Sequence, residues 1–301
     1  MRHLYSVALA LLLPACAMQG DSASTLNDLP DRYTWDIGWN VAVADIDVIV
    51  AGLEDSERFY EAVAGYRLSD RERDNWTVTI VSTGRGDPWG GGACCTAKTR
   101  GDGAETQLFF DVAHPHWRAH YDLLSAHGAA HTKIVMHEFA HGLQIDHHSS
   151  HPDHYRLSNW MREGMAEYFA YRAMIEAGLV DASAVERRLF EACIRTAIMG
   201  QSIRDLEDPR GRFWPGDIGF LAITGLVELA PNGADDLLAY VRSLGQGTGR
   251  DAAFEASFGL SLEEFYDTFD TWRESARSNH GIEPVWSRYA NLQPRIASSI
   301  R

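Results

Sequence analysis

His137, Glu138 and His141 stand in the segment HEFAH, inside the longer run IVMHEFAHGLQIDHHSSH. On a helix the two histidines lie one turn apart and project from one face, so a single metal ion can take both imidazoles. Glu138 sits about 100° further round the helix, where its carboxylate can face a metal-bound water without being a ligand. Two histidine ligands with a glutamate base between them is the H-E-x-x-H arrangement of hydrolytic zinc sites. The competing structural reading is two half-buried histidines on an amphipathic helix, KIVMHEFAHGL.

A catalytic zinc needs a third protein ligand and an open position. His147, six residues after His141, has the spacing of a third histidine that swings back after a helix break. That break needs glycine at position 144, but 144 is Gln and the glycine stands at 142. Glu163 is the other candidate, in NWMREGMAEYFAYR, which reads as a second helix with Glu163 and Glu167 one turn apart. There Glu163 would ligate, and Glu167 would accept the second ring N–H of a histidine ligand. Losing such a partner typically costs about 10–100-fold in affinity or activity. The glutamate pair accounts for a ligand and its support together, whereas His147 accounts only for itself. The expected site is therefore one Zn2+ ion on His137, His141 and Glu163, with Glu138 as base. His147, His148, His151 and His154 then read as a polar loop between the two metal helices, or as a rim for metal access or substrate.

HEFAHGLQ followed by NWMREGMAEYFA resembles the gluzincin clan of zinc metallopeptidases, which includes thermolysin-like enzymes and aminopeptidases. The form W-x-x-E-G-x-A-E-Y is most similar to bacterial peptidase MA-like proteins, and the segment GFLAITGLVELAPNGADD onward resembles their helical tail. The resemblance covers roughly residues 130–277. It implies an α+β fold of thermolysin-like type, a small mixed-sheet lobe followed by a helical lobe. It implies His137, His141 and Glu163 as zinc ligands, Glu138 as general base and Glu167 behind a ligand. It also implies a peptide or protein substrate laid along a sheet-edge strand, for which QLFFDVAH is the candidate. No motif for a free N-terminus is recognisable, which favours an endopeptidase. One departure is notable: where such enzymes place a tyrosine or histidine to steady the oxyanion, GRFWPGDIGF offers Phe213 and Trp214. Tyr155, Tyr168, Tyr171 and His154 are the remaining candidates, each with an ordinary packing or surface reading. The missing donor favours a rival function, a zinc-containing envelope lipoprotein that binds a partner without cleaving it. The intact Glu138 opposes that rival.

The elements that must position these residues follow from patterning. VADIDVIVAGLEDSERFYEAVAG reads as a helix ending at Gly65, and WTVTIVST and TQLFFDVAH as strands, with a glycine-rich loop over 84–106 between them. Beyond His116 the periodicity predicts helices near 117–127, 130–146, 160–178, 181–200, 217–230, 234–244, 250–257 and 261–277. Ser261 and Glu264 form a capping box at the start of the last.

The N-terminus MRHLYSVALALLLPACAMQG has secretory-signal architecture, with an apolar stretch too short to span a bilayer. LPAC resembles a bacterial lipobox, which would lipidate Cys16; ACA is an alternative cleavage site ending at Ala17. Either reading exports the chain to the periplasm or cell envelope. The expected organisation is a signal over 1–17, a flexible tether over 18–30, one domain over 31–290 and a tail over 291–301. The domain divides into an α/β lobe over 31–146 and a helical lobe over 147–290. Export leaves a disulfide open between Cys193 and either Cys94 or Cys95. A net charge of −15 argues against nucleic acid as partner, and leaves the membrane a role only through an anchor at Cys16. No feature specifies an oligomeric state.

Overall fold

β-branched and aromatic alternation in residues 76–81 and 106–111 builds the centre of a small sheet, and long 3.6-period segments pack against it. The computed structural model describes residues 29–65, 75–86, 97–101, 105–119, 129–148, 157–199, 202–207 and 216–278. In chain order the elements are β1 (Tyr33–Ile37), α1 (Val43–Ala64), β2 (Asn75–Val81), β3 (Ala97–Gly101), β4 (Glu105–Asp111) and α2 (Pro115–Ala119). Helices α3 (Ala129–His148), α4 (Asn159–Glu176) and α5 (Ala182–Met199) follow, then a 3-10 turn at Ile203–Leu206. The chain continues through α6 (Gly216–Leu229), α7 (Ala234–Gly245), α8 (Arg250–Phe258) and α9 (Leu262–Ser278). The protein is thus α+β, with a small mixed sheet and mostly helices.

The sheet order is β1-β2-β4-β3, with β1, β2 and β4 parallel and β3 antiparallel to β4. Trp76, Val78 and Ile80 of β2 and Leu108 and Phe110 of β4 are buried on the face that takes the helices. Two strands lie outside the expected pattern. β1 (YTWDI) does alternate apolar and polar residues, with Tyr33, Trp35 and Ile37 turned to the core, but the run is only five residues long. β3 (AKTRG) falls inside the stretch read as a glycine-rich loop. It is a short, charged edge strand, which pairing with β4 creates and periodicity does not signal. QLFFDVAH is consequently an inner strand, hydrogen-bonded on both sides by β2 and β3. The expectation that it forms the edge is corrected: the edge against α3 is β3.

α1 buries Ile46, Ile49, Leu53, Phe59 and Tyr60, the stripe of an amphipathic helix, and ends at Gly65 in the left-handed region at φ 61°. α3 lies between the sheet and α4. Fifteen of the eighteen residues of α4 are buried, because α3 and α6 flank it. Two close approaches set this packing. A Cβ on Gly142 would stand 2.3 Å from the Trp76 ring, and one on Gly164 would stand 2.4 Å from the backbone of Gly219 in α6. These glycines directly follow His141 and Glu163, so α3 and α4 approach their neighbours beside the candidate ligand positions. α9 opens with the expected capping box: the Ser261 N–H donates to Glu264 Oε2 at 2.8 Å and the Glu264 N–H to Ser261 Oγ at 3.2 Å.

Asp111 closes the far end of β4. Its carboxylate accepts from the Thr83 hydroxyl (2.7 Å) and from the backbone N–H groups of Thr83, Gly84 and Gly86 (3.0, 3.0 and 2.9 Å). Burial alone would raise its pKa, but these donors outweigh burial and lower it.

No helix among the described residues is long and apolar enough to cross a membrane. The expected signal over 1–17 with Cys16, residues 18–28, Cys94, Cys95 and residues 279–301 lie outside the described residues, as does the side chain of Cys193. The expected tether is already docked at its end, where Leu29 packs on the core and the Pro30 carbonyl accepts from Trp35 Nε1 at 3.1 Å.

Asp111→Ala is expected to lower unfolding free energy by about 2–3 kcal/mol at neutral pH, measured by urea titration. Because the folded pKa is depressed, the contribution is full above about pH 4 and fades as the pH falls further, so wild type and variant should converge in acid. Gly164→Ala is expected to cost about 1–3 kcal/mol in the same assay, because α4 and α6 must separate.

Candidate metal centre

α3 and α4 meet where His137, His141 and Glu163 face one another. The two histidine Nε2 atoms are 3.1 Å apart, and each lies 3.4 Å from Glu163 Oε2. Zinc held tetrahedrally at about 2.0–2.1 Å places its donors about 3.3–3.4 Å apart, so the triangle has the right size. This buried group could hold a metal ion.

Hydrogen bonding tests the fit independently. His137 Nδ1–H donates to Glu167 Oε2 at 3.1 Å, and His141 Nδ1–H donates to Gln144 Oε1 at 2.9 Å. Gln144 is oriented in turn, because its Nε2 donates to the Arg162 carbonyl at 2.9 Å. Carboxylate and amide oxygens only accept here, so both Nδ1 atoms carry hydrogen, and in neutral rings both Nε2 atoms present lone pairs. Glu163 Oε2 completes the set as a buried acceptor with no hydrogen-bond partner. With both rings neutral, three acceptors therefore converge in a shielded space, an arrangement that repels itself unless a proton or a metal ion stands between them.

Electrostatics agree. Burial opposes charge on His137, yet Glu163 and Glu167 outweigh it and raise the ion-free pKa from 6.5 to about 9. Glu163 is pulled well below the usual carboxylate range: burial works against this, and His141, His137 and Arg162 prevail. Glu167 is lowered too, against burial, chiefly by Lys133 and His137. Without an ion the site keeps a proton, which an arriving metal has to displace.

Several residues hold this set in place. Arg162 donates to Glu163 Oε1 from Nη2 (2.8 Å) and Nε (3.2 Å) and is itself tied to Asn159 Oδ1 at 2.9 Å. One carboxylate oxygen is thereby occupied and the other left for an ion. Glu138 is buried, and the hydroxyl of Thr99 on β3 lies 2.7 Å from its Oε2 and 2.9 Å from its main-chain oxygen. Lys133 Nζ donates to Glu167 Oε2 at 2.5 Å.

The structure brings together His137, His141 and Glu163 and places Glu167 behind His137, as the spacing suggested. α3 continues unbroken through Gln144 to His148 and does not make the turn that ligation by His147 requires. Tyr168 and Tyr171 are buried; Tyr171 stacks on Phe220 at 5.1 Å, a packing role. The side chains of His147 and His148, and residues His151, His154, Tyr155, Phe213 and Trp214, lie outside the described residues. Sequence reasoning missed Gln144, Arg162, Lys133 and Thr99 as parts of the site. Gln144 and Lys133 stand three and four residues from a histidine ligand on a helix, a spacing that could have found them. Thr99 carries no such signal. Comparison with protein-family models, curated proteins and solved structures finds no match.

Gln144→Leu removes the partner of His141 at nearly constant volume. Zinc affinity, measured by competition with a chelator, is expected to fall about 10–100-fold while the helical circular dichroism stays unchanged.

Proposed function

We propose that this chain is an exported zinc metallopeptidase of gluzincin type that hydrolyses peptide bonds, most simply as an endopeptidase. The observation that carries the reading is the unsatisfied Glu163 Oε2 converging on two imidazole Nε2 atoms, with Glu138 on the same helix and outside the ligand set. Two histidines and one carboxylate with room for a fourth partner is a catalytic donor set, whereas structural zinc sites close with four protein ligands.

His137, His141 and Glu163 would hold the ion. Zinc, when bound, supplies Lewis acidity toward the peptide carbonyl and lowers the pKa of its water toward about 7. Glu138 takes the proton from the attacking water and delivers it to the leaving amine. Thr99 fixes Glu138 through Oε2, which leaves Oε1 for that proton. An extended peptide would add by backbone pairing to the edge of β3 that no strand among the described residues occupies. Because Thr99 belongs to that strand, substrate and base are placed by the same element. The secretory N-terminus supports action in the periplasm or envelope, with Cys16 as the anchor if it is lipidated.

The test is zinc stoichiometry by atomic emission together with cleavage of a mixed peptide library read by mass spectrometry. Glu138→Gln should keep zinc and lose cleavage by about 100- to 10,000-fold, and Glu163→Ala should lose both. Cleavage that survives in Glu138→Gln would sink the mechanism. Stoichiometric zinc in a wild type that cleaves nothing would point instead to the partner-binding lipoprotein.

A further inference from the structure

Lys133 is a shielded cation beside the metal centre that neither ligation nor proton transfer uses. It stands four residues before His137 and so shares its face of α3. Its Nζ lies 2.5 Å from Glu167 Oε2, the same oxygen that accepts from His137 Nδ1–H at 3.1 Å. The side chains of Lys133 and Glu167 are only 20% and 7% exposed, so water screens the pair little. On its other side the ammonium sits 5.5 Å from the centroid of the Tyr171 ring. Arg188 of α5, the other cation near Tyr171, pairs with Asp217 at 2.6 Å. Asp217 also takes Arg195 at 2.5 Å, so both arginines are engaged there, and Lys133 is the cation that contacts Glu167 directly.

We propose that Lys133 is a positioning residue of the metal centre, holding Glu167 so that Glu167 in turn holds His137 on the ion. The inference rests on the metal-site reading above. A buried ion pair contributes little net stability, since desolvation offsets most of the attraction. Its value here is geometric. Two donors from one helix face meet a single carboxylate oxygen, which fixes where Oε2 stands and thereby the rotation of the His137 ring. With Lys133 gone, Glu167 would be a buried carboxylate without its cation. It would turn toward water or Arg188, or take a proton, and its hold on His137 would loosen.

The full chain carrying Lys133→Met, Lys133→Arg, Glu167→Gln, or Lys133→Met with Glu167→Gln separates this role from a purely structural one. The readouts are the zinc dissociation constant by chelator competition, the visible spectrum of the cobalt(II)-loaded protein, and thermal stability without metal. Lys133→Met should weaken zinc binding about 10–100-fold and alter the cobalt spectrum, and Lys133→Arg should restore affinity to within about threefold. On the Glu167→Gln background, Lys133→Met should add less than about twofold, because the two residues act in series. Should Lys133→Met not fold, Lys133→Gln, which keeps a donor without the charge, carries the same expectation. Unchanged zinc affinity in folded Lys133→Met, or losses that multiply in the double variant, would overturn the role of Lys133 while leaving the metal site standing. A wild type that binds no stoichiometric zinc would overturn both.

Discussion

Two imidazole lone pairs and a carboxylate oxygen are held within 3.4 Å of one another in a space shielded from water. With both rings neutral, nothing in the chemistry of those three atoms favours the arrangement, because each is then an acceptor facing two acceptors. The packing around them must impose it, and most of what is distinctive in the fold serves that end. α4 is buried on nearly every side, and it approaches α6 through Gly164 at a distance that admits no Cβ. α3 is pressed on the sheet through Gly142 and Trp76 in the same manner. A helix fixed on both flanks cannot roll to relieve the repulsion, so the triangle persists and is relieved by a proton or, in its place, a metal ion.

Around the triangle the polar atoms are divided by direction. Nδ1 of each histidine points outward to an acceptor, Oε1 of Glu163 points outward to Arg162, and the remaining lone pairs point inward. Each outward contact removes a way for the inner atoms to satisfy themselves locally. Thr99 and Lys133 extend the same logic to the base and to Glu167. The result is a site whose members are oriented before any ion arrives, which lowers the reorganisation that binding would otherwise require.

The helical part of the fold is legible in the sequence because each long helix carries its own stripe of apolar residues and its own stop signals. Gly65, Ser261 and Glu264 do in the structure what their types suggest. The strands divide differently. β2 and β4 are apolar and alternating, since one face of each is buried under the helices. β1 and β3 are edges of five residues each: β3 is polar enough to look like loop, β1 alternates over too few positions to stand out, and a neighbour supplies the other half of each ladder. That is why QLFFDVAH, the most strand-like segment, reads as a candidate edge although it lies inside the sheet.

His137, Glu138 and His141, and the spacing of Glu163 from Glu167, are determined by sequence alone, because a helix converts separation along the chain into direction in space. The preference for Glu163 over His147 is readable as well, through the glutamine at position 144. That Gln144 then steadies His141, that Arg162 takes one oxygen of Glu163, that Lys133 shares Glu167 with His137, and that Thr99 reaches Glu138 from the sheet were decided by tertiary structure. Each depends on how far apart, and at what rotation, α3, α4 and β3 come to rest. Backbone close approaches at Gly142 and Gly164 and the pairing of an edge strand set those distances, and no local pattern records them.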